Sequence, residues 1–253
     1  MFNKLKLSIT LPIPILNVNL VYSKILDFAN FLTNCSLYDK VQNRMKNKTK
    51  QLVKYSQLSA EQGLVLGSSG NISLRLGKDM LIKASGLCMS EAKTSDFLRV
   101  GLKKLNYKSE KLKPSCEARM HAVCYDMRAD INCVMHTHPL YATTLVSCLI
   151  KPCLISPEFI LALGSEIKVV EYICPGTEKL AKVVGNAVKN GNIVYLKNHG
   201  LLSVGKTLKE AYTRTLLAEQ MAKMQIIGQL LGKKLKGIST RQAKELLAHL
   251  QDK

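Results

Sequence analysis

Residues 71–84 constrain the fold more tightly than any other stretch of this chain. Asn71-Ile-Ser-Leu-Arg-Leu76 alternates polar and apolar residues, Gly77-Lys78-Asp79 supplies a turn, and Met80-Leu-Ile-Lys-Ala84 completes a hairpin. Two antiparallel strands this early in the order argue against a purely parallel, doubly wound sheet. Apolar residues at helical spacing (Leu52, Tyr55, Leu58, then Gln62 to Val65) precede the hairpin, and Gly67-Ser-Ser-Gly70 separates the two. Further helices are predicted over 115–128, 178–189 and 208–231, and strands over 131–139 and 193–197. Strands and helices are therefore mixed along one chain, and no internal repeat is visible.

Composition limits the function classes. The 253 residues are 47% hydrophobic and 22% charged, enough apolar material for a sizeable core. Thirty-seven Lys and Arg against eighteen Asp and Glu give +19, which raises nucleic acid or an anionic membrane as a partner. The excess is concentrated at the ends, with +7 on residues 1–54, +4 on 232–253 and +8 on the stretch between. Aromatic residues make up 6% and Trp is absent, so stacking platforms for bases are few. A solvated basic surface is the better reading; nucleic acid is not expected. No charge-free apolar run approaches the roughly 18 residues of a membrane span, so no membrane partner is expected either.

The organisation expected is an N-terminal extension over 1–50, a single domain over 51–231 and a basic tail over 232–253. The extension opens with Lys4 and Lys6 before an apolar stretch broken by Pro12 and Pro14, a weak secretory pattern with no clear cleavage site. Met45 offers an alternative start that would leave a compact domain. Eight cysteines contain no C-x-x-C pair, and several lie in apolar runs, which fits free thiols in a reducing cytoplasm.

The chemistry-bearing residues begin with His136-Thr137-His138. Residues two apart on a strand project to one face, so both imidazoles can converge on an ion. His199, at a strand end just before Gly200, is a candidate third ligand, although taken alone it fits a turn histidine equally well. Three histidines with an open fourth position is the arrangement of catalytic zinc. His121 stands four residues after Glu117 and shares its helix face, while His249 lies in the basic tail. Glu117 sits at a helix start after Pro114-Ser115-Cys116, where unpaired amides attract anions. It fits either a carboxylate that stabilises the helix or a base beside a phosphate cradled by those amides. Gly70-Asn71 and Ser85-Gly86 are turn dipeptides that also suit a phosphate site.

In order and spacing, Gly67-Ser-Ser-Gly-Asn-Ile-Ser73, Lys83-Ala-Ser-Gly86, Lys113-Pro-Ser-Cys-Glu117 and His136-Thr-His-Pro139 resemble the signature of the class II aldolase/adducin family. Pro175-Gly-Thr177, Lys197-Asn-His-Gly-Leu-Leu202, and Glu210-Ala211 with Glu219 continue the likeness, which covers about residues 51–225. The resemblance implies a three-layer α/β/α sandwich around a largely antiparallel sheet and a homotetramer with active sites between subunits. It implies zinc bound by His136, His138 and His199, with Glu117 as acid/base able to approach the metal. It assigns the phosphate loops to Gly70, Asn71, Ser85, Gly86, Ser115 and Cys116. The activity implied is cleavage of a phosphorylated sugar, a ketose 1-phosphate such as L-fuculose 1-phosphate, to dihydroxyacetone phosphate and an aldehyde. Methylthioribulose-1-phosphate dehydratase and pentulose-phosphate 4-epimerase activities use the same scaffold, as does a non-enzymatic adducin-like role. Cys116 departs from the family's second serine, and no tyrosine follows Tyr212.

Overall fold

The computed structural model describes the backbone of residues 43–251; the Lys4–Leu16 stretch and Cys35 lie outside the described residues. The chain divides after Met45, and the architecture that follows is that of Lys46–Lys253. Helix α1 continues through residues 46–61. Then come β1 (Asn71–Leu76), β2 (Asp79–Lys83), β3 (Phe97–Gly101), α2 (Ala118–Met127), β4 (Cys133–Thr137), α3 (Leu140–Ser147) and α4 (Pro157–Leu163). The order finishes with β5 (Lys168–Val170), α5 (Glu178–Val188), β6 (Ile193–Leu196), β7 (Gly200–Gly205), α6 (Leu208–Leu230) and α7 (Thr240–Gln251).

The seven strands form one sheet in the order β3-β2-β1-β4-β7-β6-β5. Every neighbouring pair is antiparallel except β5 and β6, which α5 joins as a crossover. The largely antiparallel sheet that the resemblance implies is therefore present, and helices cover both faces to give three layers. Strand alternation divides the core. Val134, Val194, Leu196, Leu202 and Val204 pack under α2 and α5, whereas Ile193, Tyr195 and Leu201 pack under α3, α4, α6 and α7. Helix α1 joins the second layer: Tyr55 stacks near Tyr212, and the Ser59 hydroxyl lies 3.8 Å from Met135 Sδ.

Several elements have no strong local signal. Helix α3 has Pro139 at its N-cap position, which makes no side-chain cap. Its first amides are instead bonded by Glu219 of α6, whose carboxylate accepts from Tyr141 N at 2.9 Å and Ala142 N at 2.7 Å. Burial raises the Glu219 carboxyl above its usual range, and those two amides oppose the shift. Within the stretch expected as a basic tail, α7 packs on α4 and buries Ala243 completely, while His249 is exposed. Helix α2 begins at Ala118 with Glu117 as its N-cap, later than the predicted start at Ser115.

Glu219→Ala leaves two amides at the start of α3 without their partner. It is expected to lower unfolding free energy by about 1–3 kcal/mol in urea melts, and a loss below about 0.5 kcal/mol would show that the cap carries little.

Candidate metal centre

β4 lies in the middle of the sheet, and its C-terminal end meets the N-terminal ends of β1 and β7. Register places Asn71 opposite His136 on one side and Leu202 opposite His136 on the other. Because Val134 points into the α2 layer, His136 does too, and it is fully buried. His138 follows just beyond the strand, and its amide donates to the Leu64 carbonyl at 2.9 Å. His199 enters from the turn before β7. There Asn198 takes a left-handed φ of 53°, and Gly200 lies so close that a side chain would collide with the Thr137 carbonyl and with His138 Cδ2. That glycine is what lets the third histidine approach the other two.

The three imidazoles form a triangle with ring centroids 4.7–5.2 Å apart. One nitrogen from each lies within 4.8 Å of the others, a group able to hold a metal ion. His136 Nδ1 lies 3.0 Å from the Leu201 carbonyl and donates to it, which turns Nε2 toward the centre. Nε2 of His138 lies 2.9 Å from that same atom. Burial, followed by the other two imidazoles for His138 and by His136 for His199, pushes both down to about 4. Both are thus neutral near pH 7, with lone pairs free for a ligand bond.

Glu117 closes the fourth side. Its Oε2 lies 3.1 Å from His136 Nε2, and its Oε1 lies 3.4 Å from His199 Nε2. Asn71 Nδ2 donates to Oε2 at 3.0 Å. Burial favours the neutral acid, but His136, through charge and hydrogen bonding, the Asn71 bond and His199 together hold the carboxyl well below its usual range. Glu117 Oε1 and His199 Nδ1 are buried with no hydrogen-bond partner. Three imidazole nitrogens, a carboxylate and buried polar atoms without partners fit a divalent ion of zinc's ligand preference.

The other expected site residues gather beside this cluster. Ala84 bridges Pro114, Ser85 N donates to the Lys113 carbonyl at 2.9 Å, and Ser115 N donates to the Lys83 carbonyl at 3.1 Å. These bonds bring Ser85-Gly86 against Ser115-Cys116, with Gly86 at a left-handed φ of 75°. Gly70, at a φ of 72°, passes under Val65 and the His136 carbonyl and leads into Asn71. Cys116 is exposed, and Gly176 of the Pro175-Gly-Thr177 turn packs against its backbone. Two features were not legible in the sequence. Lys83 is buried, with its ammonium donating to the Ala84 and Leu87 carbonyls behind the Ser85-Gly86 loop. The Asn71 amide, expected in a phosphate loop, donates to Glu117; only the three-dimensional pairing of β1 with α2 reveals that contact.

The model of the class II aldolase and adducin N-terminal domain matches residues 50–226. The chain belongs to that family. It is 32% identical over 177 residues to an L-fuculose phosphate aldolase of Methanococcus maripaludis, covering 70% of this chain and 95% of the relative. A 5-deoxy-D-ribulose 1-phosphate aldolase of Bacillus thuringiensis is 31% identical over 67% of this chain and 79% of its own length. A solved L-fuculose 1-phosphate aldolase superposes with a TM-score of 0.71 at 29% identity, covering 80% of this chain and 95% of that one. In the family frame the three-histidine group is a metal site, and the protein is a class II aldolase-superfamily enzyme. Among the described residues, no helix is long and apolar enough to cross a membrane.

His138 and His199 take up protons less readily folded than unfolded, so the metal-free protein should lose stability as pH falls from about 6.5 towards 4. Thermal melts of the metal-free protein between about pH 7 and pH 5 test this. A falling midpoint is expected, and a constant or rising one would contradict the neutral-histidine assignment.

Proposed function

We propose that the protein is a zinc-dependent aldolase that cleaves a ketose 1-phosphate to dihydroxyacetone phosphate and an aldehyde. The observation that carries this reading is Glu117, held ionised within 3.4 Å of two imidazoles of the three-histidine group. A zinc ion held by His136, His138 and His199 would supply Lewis-acid stabilisation of the negative charge that bond cleavage places on the donor half, with no need for a Schiff-base lysine.

The chain's own residues supply the rest. Aldol cleavage removes the proton of the C4 hydroxyl, breaks the C3–C4 bond and returns a proton to C3. Glu117, anionic at neutral pH and beside the histidines, is the group that carries a proton between substrate and product. Ser85, Gly86 and Ser115, with the amides around them, would hold the phosphate, and the buried Lys83 ammonium adds positive charge behind the loop. Gly70 and Cys116 line the same end in this reading, and Asn71 serves both the loop and Glu117. Glutamate rather than aspartate at 117 favours aldol cleavage or dehydration over 4-epimerisation in this family. The relatives named above act on L-fuculose phosphate and 5-deoxy-D-ribulose 1-phosphate, so the substrate proposed is a ketose 1-phosphate of that kind.

We further propose a homotetramer with the site at a subunit boundary, acting in the cytoplasm. Leu66 is 79% exposed and Leu140 is 66% exposed, and these leucines flank the site in sequence, one just ahead of the Gly70 loop and one just after His138-Pro139. Apolar side chains at such positions are covered when copies associate.

Aldehyde release from a panel of ketose 1-phosphates tests the assignment. Cleavage is expected to require stoichiometric metal, to stop on chelation and to return with zinc. Glu117→Gln should lower kcat by about 100-fold or more while metal content is kept. Full activity in that variant would remove Glu117 from the chemistry.

A further inference from the structure

We propose that Ser73, His121 and Tyr125 are positioning residues that set the height and orientation of Glu117 against the histidine cluster. Three β1 residues on one face meet the N-cap of α2 and two α2 positions, each one turn apart. Asn71 holds Glu117 at 3.0 Å. The Ser73 hydroxyl lies 2.7 Å from His121 Nδ1 and 2.7 Å from the Tyr125 hydroxyl. The Arg75 guanidinium carbon lies 5.8 Å from the Tyr125 ring centroid. Two strand residues rise about 6.6 Å and four helical residues about 6 Å, so the two elements stay in step over three rungs.

These rungs cross a layer otherwise filled by Met80, Ile82, Met120, Ala122 and Val134. Asn71, Ser73, Glu117, His121 and Tyr125 are all buried, so a slip of α2 would leave several polar groups without partners in a dry layer. Burial, then the neighbouring His136, pushes His121 down to about 3, so it is a neutral imidazole. Counting donors gives the chain a direction: His121 Nδ1–H to Ser73, the Ser73 hydroxyl to Tyr125, and the Tyr125 hydroxyl to the Asn132 carbonyl at 3.4 Å. Every donor of His121, Ser73 and Tyr125 is then used, and within that trio the His121 Nε2 lone pair lacks a partner. The ladder is more than a stabilising contact, because its first rung, Asn71, lies opposite His136 in the β1–β4 pairing. The strand that measures the position of α2 is thus in register with the strand that carries a metal ligand.

The inference rests on the acid/base reading of Glu117, and its test separates the two. Full-length protein loaded with Co2+ reports the surroundings of the ion through visible absorption, and Glu117→Gln sets the reference change. Ser73→Ala and Tyr125→Phe are expected to shift the cobalt spectrum in the direction of Glu117→Gln at unchanged metal stoichiometry. They should also lower kcat between roughly tenfold and 100-fold with KM within about twofold. Cobalt spectra identical to the unsubstituted protein, or an effect confined to KM, would overturn the proposal. If the unsubstituted protein cleaves no ketose 1-phosphate, the functional reading fails while the spectra still decide the positioning role. Should Ser73→Ala not fold, Tyr125→Phe, which removes a single hydroxyl, gives the decision.

Discussion

The backbone ladder joining β1, β4 and β7 is the constraint on which the site depends. It sets Asn71, His136 and Leu202 in one row across the middle of the sheet. From that row the Leu201 carbonyl orients the His136 ring, and Asn71 reaches Glu117. A one-residue slip of β4 would turn His136 into the opposite layer and put Met135 in its place. The same hydrogen bonds that hold the sheet together therefore fix His136 and set Asn71 against Glu117.

Close approach is the second requirement, and it is met where a side chain would not fit. Gly200 lets the turn carrying His199 pass against Thr137 and His138, and Gly70 lets the chain pass beneath Val65 into β1. The electrostatics follow from that closeness. Burial keeps the outer two histidines neutral, while the imidazoles and Asn71 keep Glu117 ionised. A ligand set and a proton carrier thus arise from one cluster through opposite responses to the same buried surroundings.

Much of this was legible from local pattern. Alternation in His136-Thr-His138 places two imidazoles on one face, the early hairpin requires antiparallel strands, and Glu117 after Pro114-Ser115 marks a helix start. What stayed hidden depends on contacts distant in sequence. The cap of α3 comes from Glu219, 78 residues after Tyr141, so Pro139-Leu140 carries no local helix signal. Helix α7 reads as a charged tail because its burial rests chiefly on Ala243 fitting against the second core. In the sequence His121 reads only as a neighbour that shares the helix face of Glu117 and can orient it, since its partners Ser73 and Tyr125 become visible only when β1 lies beside α2.

X-ray absorption at the zinc edge of the full-length, metal-loaded protein tests the central claim most directly. Convergence of His136, His138 and His199 predicts three imidazole nitrogens at about 2.0–2.1 Å with the remaining ligand oxygen. Sulfur scattering at about 2.3 Å, or a shell of oxygen alone without the outer-ring signature of imidazole, would place the ion elsewhere and contradict the account.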